Sequence, residues 1–258
     1  MGGRVTMEEA TVKHETDDQL RVIGGMIALA LGAYVAGNVI AFLVIMALQL
    51  VGIPVTDYPE RLALISAFSL QGLGFGGVGL VYLMYSKDGS DLIRARIPNL
   101  SGISYLIGGI IAVLIGWGGV TFVITQLGVD PAQSELIESG LQNPALLLLL
   151  VPVSILLVGP AEELLYRGIV QGTIKRVIGP VPAIIIASAV FASIHVFGLI
   201  GSPTEMLVTL TVIFVLALIL GSLYELSGNL VIPAIVHGLF NAIQFLIAYS
   251  QVMGIAAP

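Results

Sequence analysis

The sequence contains no cysteine and few charged residues, and each shortage excludes a class of protein. Without cysteine, the chain has no disulfide bond and no thiolate nucleophile or metal ligand. Charged residues make up only 10% of its 258 residues and hydrophobic residues 57%, whereas a soluble domain has about 25% charged residues. No basic patch carries interleaved aromatic residues, so we expect no nucleic acid partner. This composition is that of an integral membrane protein.

Long apolar segments fill the chain after residue 21. A membrane-spanning helix needs about 20 mainly apolar residues, and seven segments are long enough. They are 22–51, 62–85, 102–128, 145–171, 181–200, 206–225 and 230–250. We therefore predict an all-α polytopic transmembrane helix bundle of about seven spans, with eight possible because the first segment is long. The segments show no internal repeat, so the inverted-repeat signature of many transporters is missing.

Lysine and arginine are distributed unevenly between the loops. They occur in residues 1–21, in the loop 86–101 and just after the fourth segment, but the loop 129–143 has none. Because positive residues favour the cytoplasmic side of a membrane, this pattern predicts a cytoplasmic N-terminus. It also places the charged end of the fourth segment on the cytoplasmic side.

The stretch GPAEELLYRG, at 159–168, places three charges inside an apolar segment. Such charges are costly in a membrane and usually functional. Glu163 and Arg167 are four residues apart on a helix and are predicted to pair. Glu162 points about 100° away from that pair, which leaves it without a local counter-charge. Tyr166 shares its face, and its hydroxyl is expected to orient the Glu162 carboxylate.

Two histidines, His195 and His237, lie inside apolar segments. Asn241 follows His237 by one helical turn, so both side chains can present hydrogen-bond donors to one point. In such a set, a carboxylate takes a proton from water and the donors stabilise the resulting oxyanion. No serine or cysteine nucleophile is needed. We predict that Glu162, His195, His237 and Asn241 are catalytic.

The depths in the membrane that the helix lengths predict for these site residues do not agree with one another. If the fourth segment ends at residue 171, Glu162 lies about nine residues from the cytoplasmic end of its helix, and His237 lies about seven residues from the cytoplasmic end of the seventh segment. His195 lies about fourteen residues from the start of the fifth segment. At about 1.5 Å per residue, the mismatch in depth is roughly 8–10 Å.

Three short motifs, EExxxR, FxxxH and HxxxN, follow one another on separate apolar segments. They run from Glu162 to Arg167, from Phe191 to His195 and from His237 to Asn241, listed in chain order. In this combination the chain resembles the CAAX-protease and bacteriocin-processing family of intramembrane proteases. That family includes the Ras-converting-enzyme type of prenyl-protein endopeptidase. The resemblance covers roughly residues 145–249.

The resemblance implies a peptidase and a role for each motif residue. Glu162, helped by His195, would activate water, and His237 with Asn241 would hold the oxyanion. Supporting residues that shape the site would be Glu163, Tyr166, Arg167 and Phe191. The expected substrate is a membrane-associated peptide or protein, with prenylated proteins as the narrower expectation.

Metal content and activity each leave an alternative open. Glu162, His195 and His237 could form the His₂Glu ligand set of a catalytic zinc site. However, HExxH is absent and the same residues can work without metal, so we expect no tightly bound metal, with zinc as the alternative. Buried glutamate and histidine also serve proton-coupled transporters. An immunity or scaffold membrane protein is the other non-enzymatic alternative.

These predictions divide the chain into four parts. Residues 1–21 form a cytoplasmic polar tail that lacks the apolar core of a signal peptide. Residues 22–143 hold N-terminal transmembrane helices, 144–250 the catalytic transmembrane core, and 251–258 a short C-terminal tail. We expect an integral protein of the cell membrane, with the lipid bilayer as a partner and the active site nearer the cytoplasmic side.

Overall fold

The structure is a computed structural model that describes residues 7–87 and 89–255. Within this part of the chain, seven helices are long and apolar enough to cross a membrane. They are α1 (Met7–Leu50), α2 (Pro59–Tyr85), α4 (Leu100–Gln126), α6 (Pro144–Ile178), α7 (Pro180–Gly198), α8 (Pro203–Ser227) and α9 (Val231–Val252). Two short helices, α3 (Gly89–Leu92) and α5 (Glu135–Gln142), lie in the connections. The predicted all-α bundle of seven spans is confirmed.

The first and fourth spans are longer than the apolar pattern predicted. Helix α1 begins at Met7 and continues unbroken to Leu50, so part of the predicted polar tail is helical; residues 1–6 lie outside the described part. Helix α6 continues to Ile178 because its last turn is basic, which suits the helix dipole. Gly179, at φ 85°, then ends it in a conformation that glycine adopts easily.

Helices α2 and α6 contain widened π-type turns. These turns cover Phe68–Gly77 in α2, and Ser154–Val158 and Leu164–Gln171 in α6. The α-helical interval Gly159–Glu163 separates the two wide stretches of α6. Wide turns of this kind are frequent at functional sites. The two adjacent glutamates therefore lie where the backbone of α6 changes its geometry.

Glycines allow α9 to approach α6 closely. A Cβ atom on Gly238 of α9 would lie 2.7 Å from both the Ile155 Cα and the Ser154 carbonyl oxygen of α6. Small residues at helix contacts permit such backbone proximity in membranes. This contact brings the polar residues of α9 against those of α6.

Short connections tie the helices together at each end of the bundle. Strands β1 (Gln133–Ser134) and β2 (Leu199–Ile200) pair in antiparallel fashion, joining the α4–α5 connection to the α7–α8 connection. At the other end, the buried Asn229 side chain donates to the Arg96 carbonyl and accepts from the Arg96 amide. The turn between α8 and α9 is therefore held by the segment that precedes α4.

Candidate active site

Four ionisable side chains from α6 and α9 are buried together in the bundle. Exposed fractions are 4% for Glu162, 0% for Glu163, 1% for Arg167 and 6% for His237. Burying a charge is strongly unfavourable unless the charge is paired or hydrogen-bonded. The partners of these four groups therefore determine what the site can do.

Glu163 is the carboxylate of this cluster that pairs with a cation. Its Oε1 atom lies 2.9 Å from Arg167 Nη1, which is the i,i+4 ion pair that the spacing predicts. Arg167 is further fixed by a 3.2 Å hydrogen bond from Nη2 to the Ala217 carbonyl of α8. Its guanidinium carbon lies 4.6 Å from the centre of the Phe191 ring. Glu163 and Arg167 thus form a neutral pair anchored to α7 and α8.

Glu163 also fixes the orientation of His237. The Nδ1 atom of His237 lies 2.9 Å from Glu163 Oε1. An ionised carboxylate only accepts hydrogen bonds, so Nδ1 carries the hydrogen and donates it. The opposite ring nitrogen, Nε2, lies 3.7 Å from Glu162 Oε2. His237 therefore bridges the two glutamates, a contact that the sequence did not reveal.

The two oxygens of Glu162 have different surroundings. Oε1 accepts a 2.8 Å hydrogen bond from Gln71 Nε2 on α2. Oε2 is buried and accepts no hydrogen bond from any residue that the structure describes. Because the Gln71 amide is neutral, it gives Glu162 a hydrogen bond but no counter-charge. No sequence spacing links Gln71 to Glu162.

Tyr166 does not orient Glu162 as expected. Its hydroxyl makes no hydrogen bond within the described part of the chain. The ring is fully buried and packs edge to face against Phe75 at 5.7 Å and Phe191 at 5.0 Å between centroids. These contacts fix the ring, so Tyr166 serves packing.

His195 lies where α7 changes from an α-helix to a tight final turn, His195–Gly198. Its Nδ1 lies 2.7 Å from the Phe191 carbonyl oxygen. Because a carbonyl only accepts, Nδ1 carries the hydrogen and Nε2 is left as an acceptor. His195 is half-buried, and Glu162 and His237 lie within electrostatic range of it. It is thus more accessible than the four buried groups.

Phe191 is the side chain that holds these groups in one cluster. Its ring centroid lies 4.6 Å from that of His195 and 5.7 Å from that of His237. The same ring contacts Tyr166 and Arg167. A supporting role for Phe191 in shaping the site is consistent with these contacts.

Asn241 stands apart from the other predicted site residues. It lies one turn after His237 on α9 and is half-buried. Its side chain makes none of the hydrogen bonds found among residues 7–87 and 89–255. The amide is therefore not committed to another protein group.

The greater length of α6 removes the expected mismatch in depth between Glu162 and His195. Glu162 lies 16 positions before Ile178, the last residue of α6, and His195 lies 15 positions after Pro180, the first residue of α7. At about 1.5 Å per residue, the two side chains lie about 24 and 22 Å from those helix ends. The two residues therefore reach similar depths.

The arrangement does not form a ready metal site. Among the described residues, no group of three histidine, aspartate or glutamate side chains is placed to hold a metal ion. Glu162, His195 and His237 have the right chemistry for a His₂Glu zinc site, but they are not brought into that geometry.

Comparison with known proteins gives one finding. The family model described as type II CAAX prenyl endopeptidase, Rce1-like, matches residues 144–243. All three motifs lie within this match, which nearly coincides with the range of the predicted resemblance. A comparison with curated proteins found no significant match, and neither did a comparison with solved structures. Residues 144–243 of this membrane protein are therefore similar to the Rce1-like type II CAAX prenyl endopeptidases, and this match confirms the resemblance that the three motifs indicate.

Proposed function

We propose that the protein is an intramembrane endopeptidase in which Glu162 activates a water molecule to hydrolyse a peptide bond. The family match over residues 144–243 supports a peptidase at the coarse level. The observation that carries the finer proposal is the state of Glu162 Oε2. This oxygen is buried, accepts no hydrogen bond from the described residues, and lies 3.7 Å from His237 Nε2. Oε2 of Glu163 also accepts no hydrogen bond from the described residues, but Arg167 compensates the charge of that carboxylate. Glu162 Oε2 is therefore the available proton acceptor.

In the first step, Glu162 Oε2 takes a proton from water as the water oxygen attacks the carbonyl carbon of the substrate. His195 assists, because its free Nε2 can accept a hydrogen bond from the same water. The electrons of the carbonyl π bond move to oxygen and form a tetrahedral oxyanion. Glu162 is then a neutral carboxylic acid.

Two donors suit the oxyanion. The Asn241 amide is free of other protein hydrogen bonds, and His237 Nε2 donates when it also carries a proton. Glu163 supports this form of His237 by accepting from Nδ1 at 2.9 Å. Carboxylates commonly hold a catalytic imidazole in this way. Glu163 is thus a positioning residue in the proposed mechanism.

In the second step, the tetrahedral intermediate collapses. The C–N bond breaks, and the leaving nitrogen takes the proton held by Glu162. The products are a new carboxyl group and a free amine, and Glu162 returns to its ionised state. Every proton is accounted for by one water molecule and one carboxylate.

The substrate proposed is a membrane-associated protein whose C-terminus carries a prenylated cysteine motif. This follows from the family description and from the burial of the site in apolar helices. We further propose that the N-terminus is cytoplasmic and that substrate reaches the site from the cytoplasmic side. The uneven distribution of lysine and arginine supports the first point.

The test uses purified protein in detergent and an internally quenched peptide. The peptide ends in a farnesylated cysteine, two aliphatic residues and one variable residue. We expect wild type to cleave it and Glu162→Gln to lose at least 10³-fold in rate, a size in keeping with the loss of a general base. Glu135→Gln, which changes an exposed carboxylate on α5, is the matched control. Cleavage by Glu162→Gln would rule out this mechanism, and no cleavage by wild type would favour the transporter or scaffold alternatives.

Metal dependence is tested on the same peptide. Exhaustive chelation is expected to leave the rate unchanged. Complete loss with recovery on adding zinc would replace the water-and-carboxylate mechanism by the zinc alternative that uses Glu162, His195 and His237.

A further inference from the structure

We propose that Gln71 of α2 is a positioning residue of the active site, which fixes the carboxylate of Glu162. The proposal rests on the function proposed above. Gln71 lies outside the matched range 144–243. The proposal therefore gives the N-terminal helices a part in the site as well.

The orientation of the Gln71 amide follows from its partner. Gln71 and Glu162 are joined by a hydrogen bond of 2.8 Å between Nε2 and Oε1. An ionised carboxylate has no hydrogen to donate, so the amide nitrogen must face Glu162. The amide oxygen of Gln71 then faces away, is buried, and accepts no hydrogen bond from the described residues. The bond to Glu162 is thus the one polar contact described for this side chain.

The backbone of α2 brings Gln71 close to Glu162 of α6. Gln71 lies within the widened stretch Phe68–Gly77. A Cβ atom on Gly74 would lie 2.9 Å from Gly37 Cα of α1, so α2 is packed directly on the α1 backbone. On the other side, Gly76 faces Ala161 of α6, where an added Cβ would be 3.8 Å from the Ala161 Cβ. Helix α2 is held between α1 and α6, which fixes the position of Gln71.

A neutral donor is the suitable partner for a catalytic base. Glu163, which has Arg167 as an ion-pair partner, is committed to a structural pair. Gln71 instead satisfies one oxygen of Glu162 without adding a positive charge, so the carboxylate remains free to take a proton. By holding Oε1, it directs Oε2 toward His237 Nε2. Gln71 thereby selects which oxygen receives the proton from water.

The kinetic test compares Gln71→Met with wild type on the farnesylated peptide. Methionine keeps the length and apolar stem but removes the donor. We expect kcat to fall at least tenfold with KM unchanged, because a hydrogen bond to a charged group is lost at the reacting carboxylate and not in substrate binding. Gln49→Met removes the bond from Gln49 to Thr56 at the exposed end of α1 and serves as the matched control. An unchanged kcat, or a rise in KM alone, would overturn the proposal.

An infrared measurement tests the contact itself. In protein carrying ¹³C-labelled glutamate, Gln71→Met is expected to shift one carboxylate stretching band relative to wild type, and that band is assigned by its absence in Glu162→Gln. If this band does not shift, the proposal is overturned, even if the peptide is never cleaved. If wild type fails to cleave the peptide, that result counts against the proposed function alone. If Gln71→Met does not fold, Gln71→Asn replaces it in both measurements, because its shorter side chain withdraws the donor.

Discussion

Removing the cation of the buried pair is the most demanding test of how this site is stabilised. Arg167→Met keeps an unbranched side chain but leaves Glu163, which is 0% exposed, without its counter-charge. Removing one partner of a buried ion pair lowers the free energy of unfolding by about 3–5 kcal/mol. The hydrogen bond to the Ala217 carbonyl is lost as well. We expect a loss of roughly 4 kcal/mol, which for a chain of this size lowers the unfolding temperature by about 8–16 °C.

The assay is thermal unfolding of purified protein in detergent. The matched control is Lys175→Met on the same helix, because Lys175 pairs with Glu225 while its side chain is 40% exposed. An exposed pair contributes at most about 1 kcal/mol. The double variant Glu163→Gln/Arg167→Met should recover about half of the loss, since no uncompensated charge remains. Equal shifts for the two methionine variants would refute the idea that burial makes the Arg167 pair the stronger one.

Two further predictions concern packing and topology. Gly238→Ala places a Cβ atom 2.7 Å from Ile155 Cα, so overpacking should lower the stability measured by thermal unfolding by about 1–3 kcal/mol. The control Gly118→Ala should cause no loss, because no atom lies within 4 Å of an added Cβ there. Equal losses for the two variants would contradict the close approach of α6 and α9. Because the chain has no native cysteine, single variants can be labelled uniquely in intact cells with an impermeant maleimide. Asp130→Cys should react and Lys87→Cys should not; the reverse result would invert the predicted orientation.

The sequence alone was sufficient for features that depend on local spacing. Seven apolar segments of spanning length predicted seven helices because length and hydrophobicity decide membrane insertion. The pairing of Glu163 with Arg167 followed in the same way, since residues four apart share one face of a helix. Neither inference requires knowledge of how the helices pack.

The contacts that define the site depend on that packing and could not be predicted. His237 is 74 positions from Glu163, and Gln71 is 91 positions from Glu162. Each pair meets only because α9 and α2 lie against α6 at a particular height. The hydrophobic periodicity of a sequence does not determine the height at which two helices meet. The motifs pointed to His237 and Glu163 as members of one site, but not to the hydrogen bond between them.

The end of α6 shows a different limit of the sequence argument. The apolar pattern stops near residue 171, so the helix was predicted to stop there. The polar residues that follow are instead held by the protein: Gln171 donates to the Gly221 carbonyl and to Glu225, and Lys175 pairs with Glu225. Partners on α8 thus allow a polar extension of α6. Its length in turn sets the depth of Glu162.

Two adjacent glutamates with the same chemistry have different partners in this structure. Glu163 has a positive charge at 2.9 Å and a histidine at 2.9 Å on one oxygen, so its charge is compensated and its position fixed. In both glutamates Oε2 accepts no hydrogen bond from the described residues. Glu162, however, receives only one neutral hydrogen bond at Oε1, and its Oε2 lies 3.7 Å from His237 Nε2. A carboxylate that is already neutralised is a poor proton acceptor, whereas one held in place but not neutralised is a good one. This difference in partners, more than the motif itself, is the physical reason to assign the base to Glu162 and the support to Glu163.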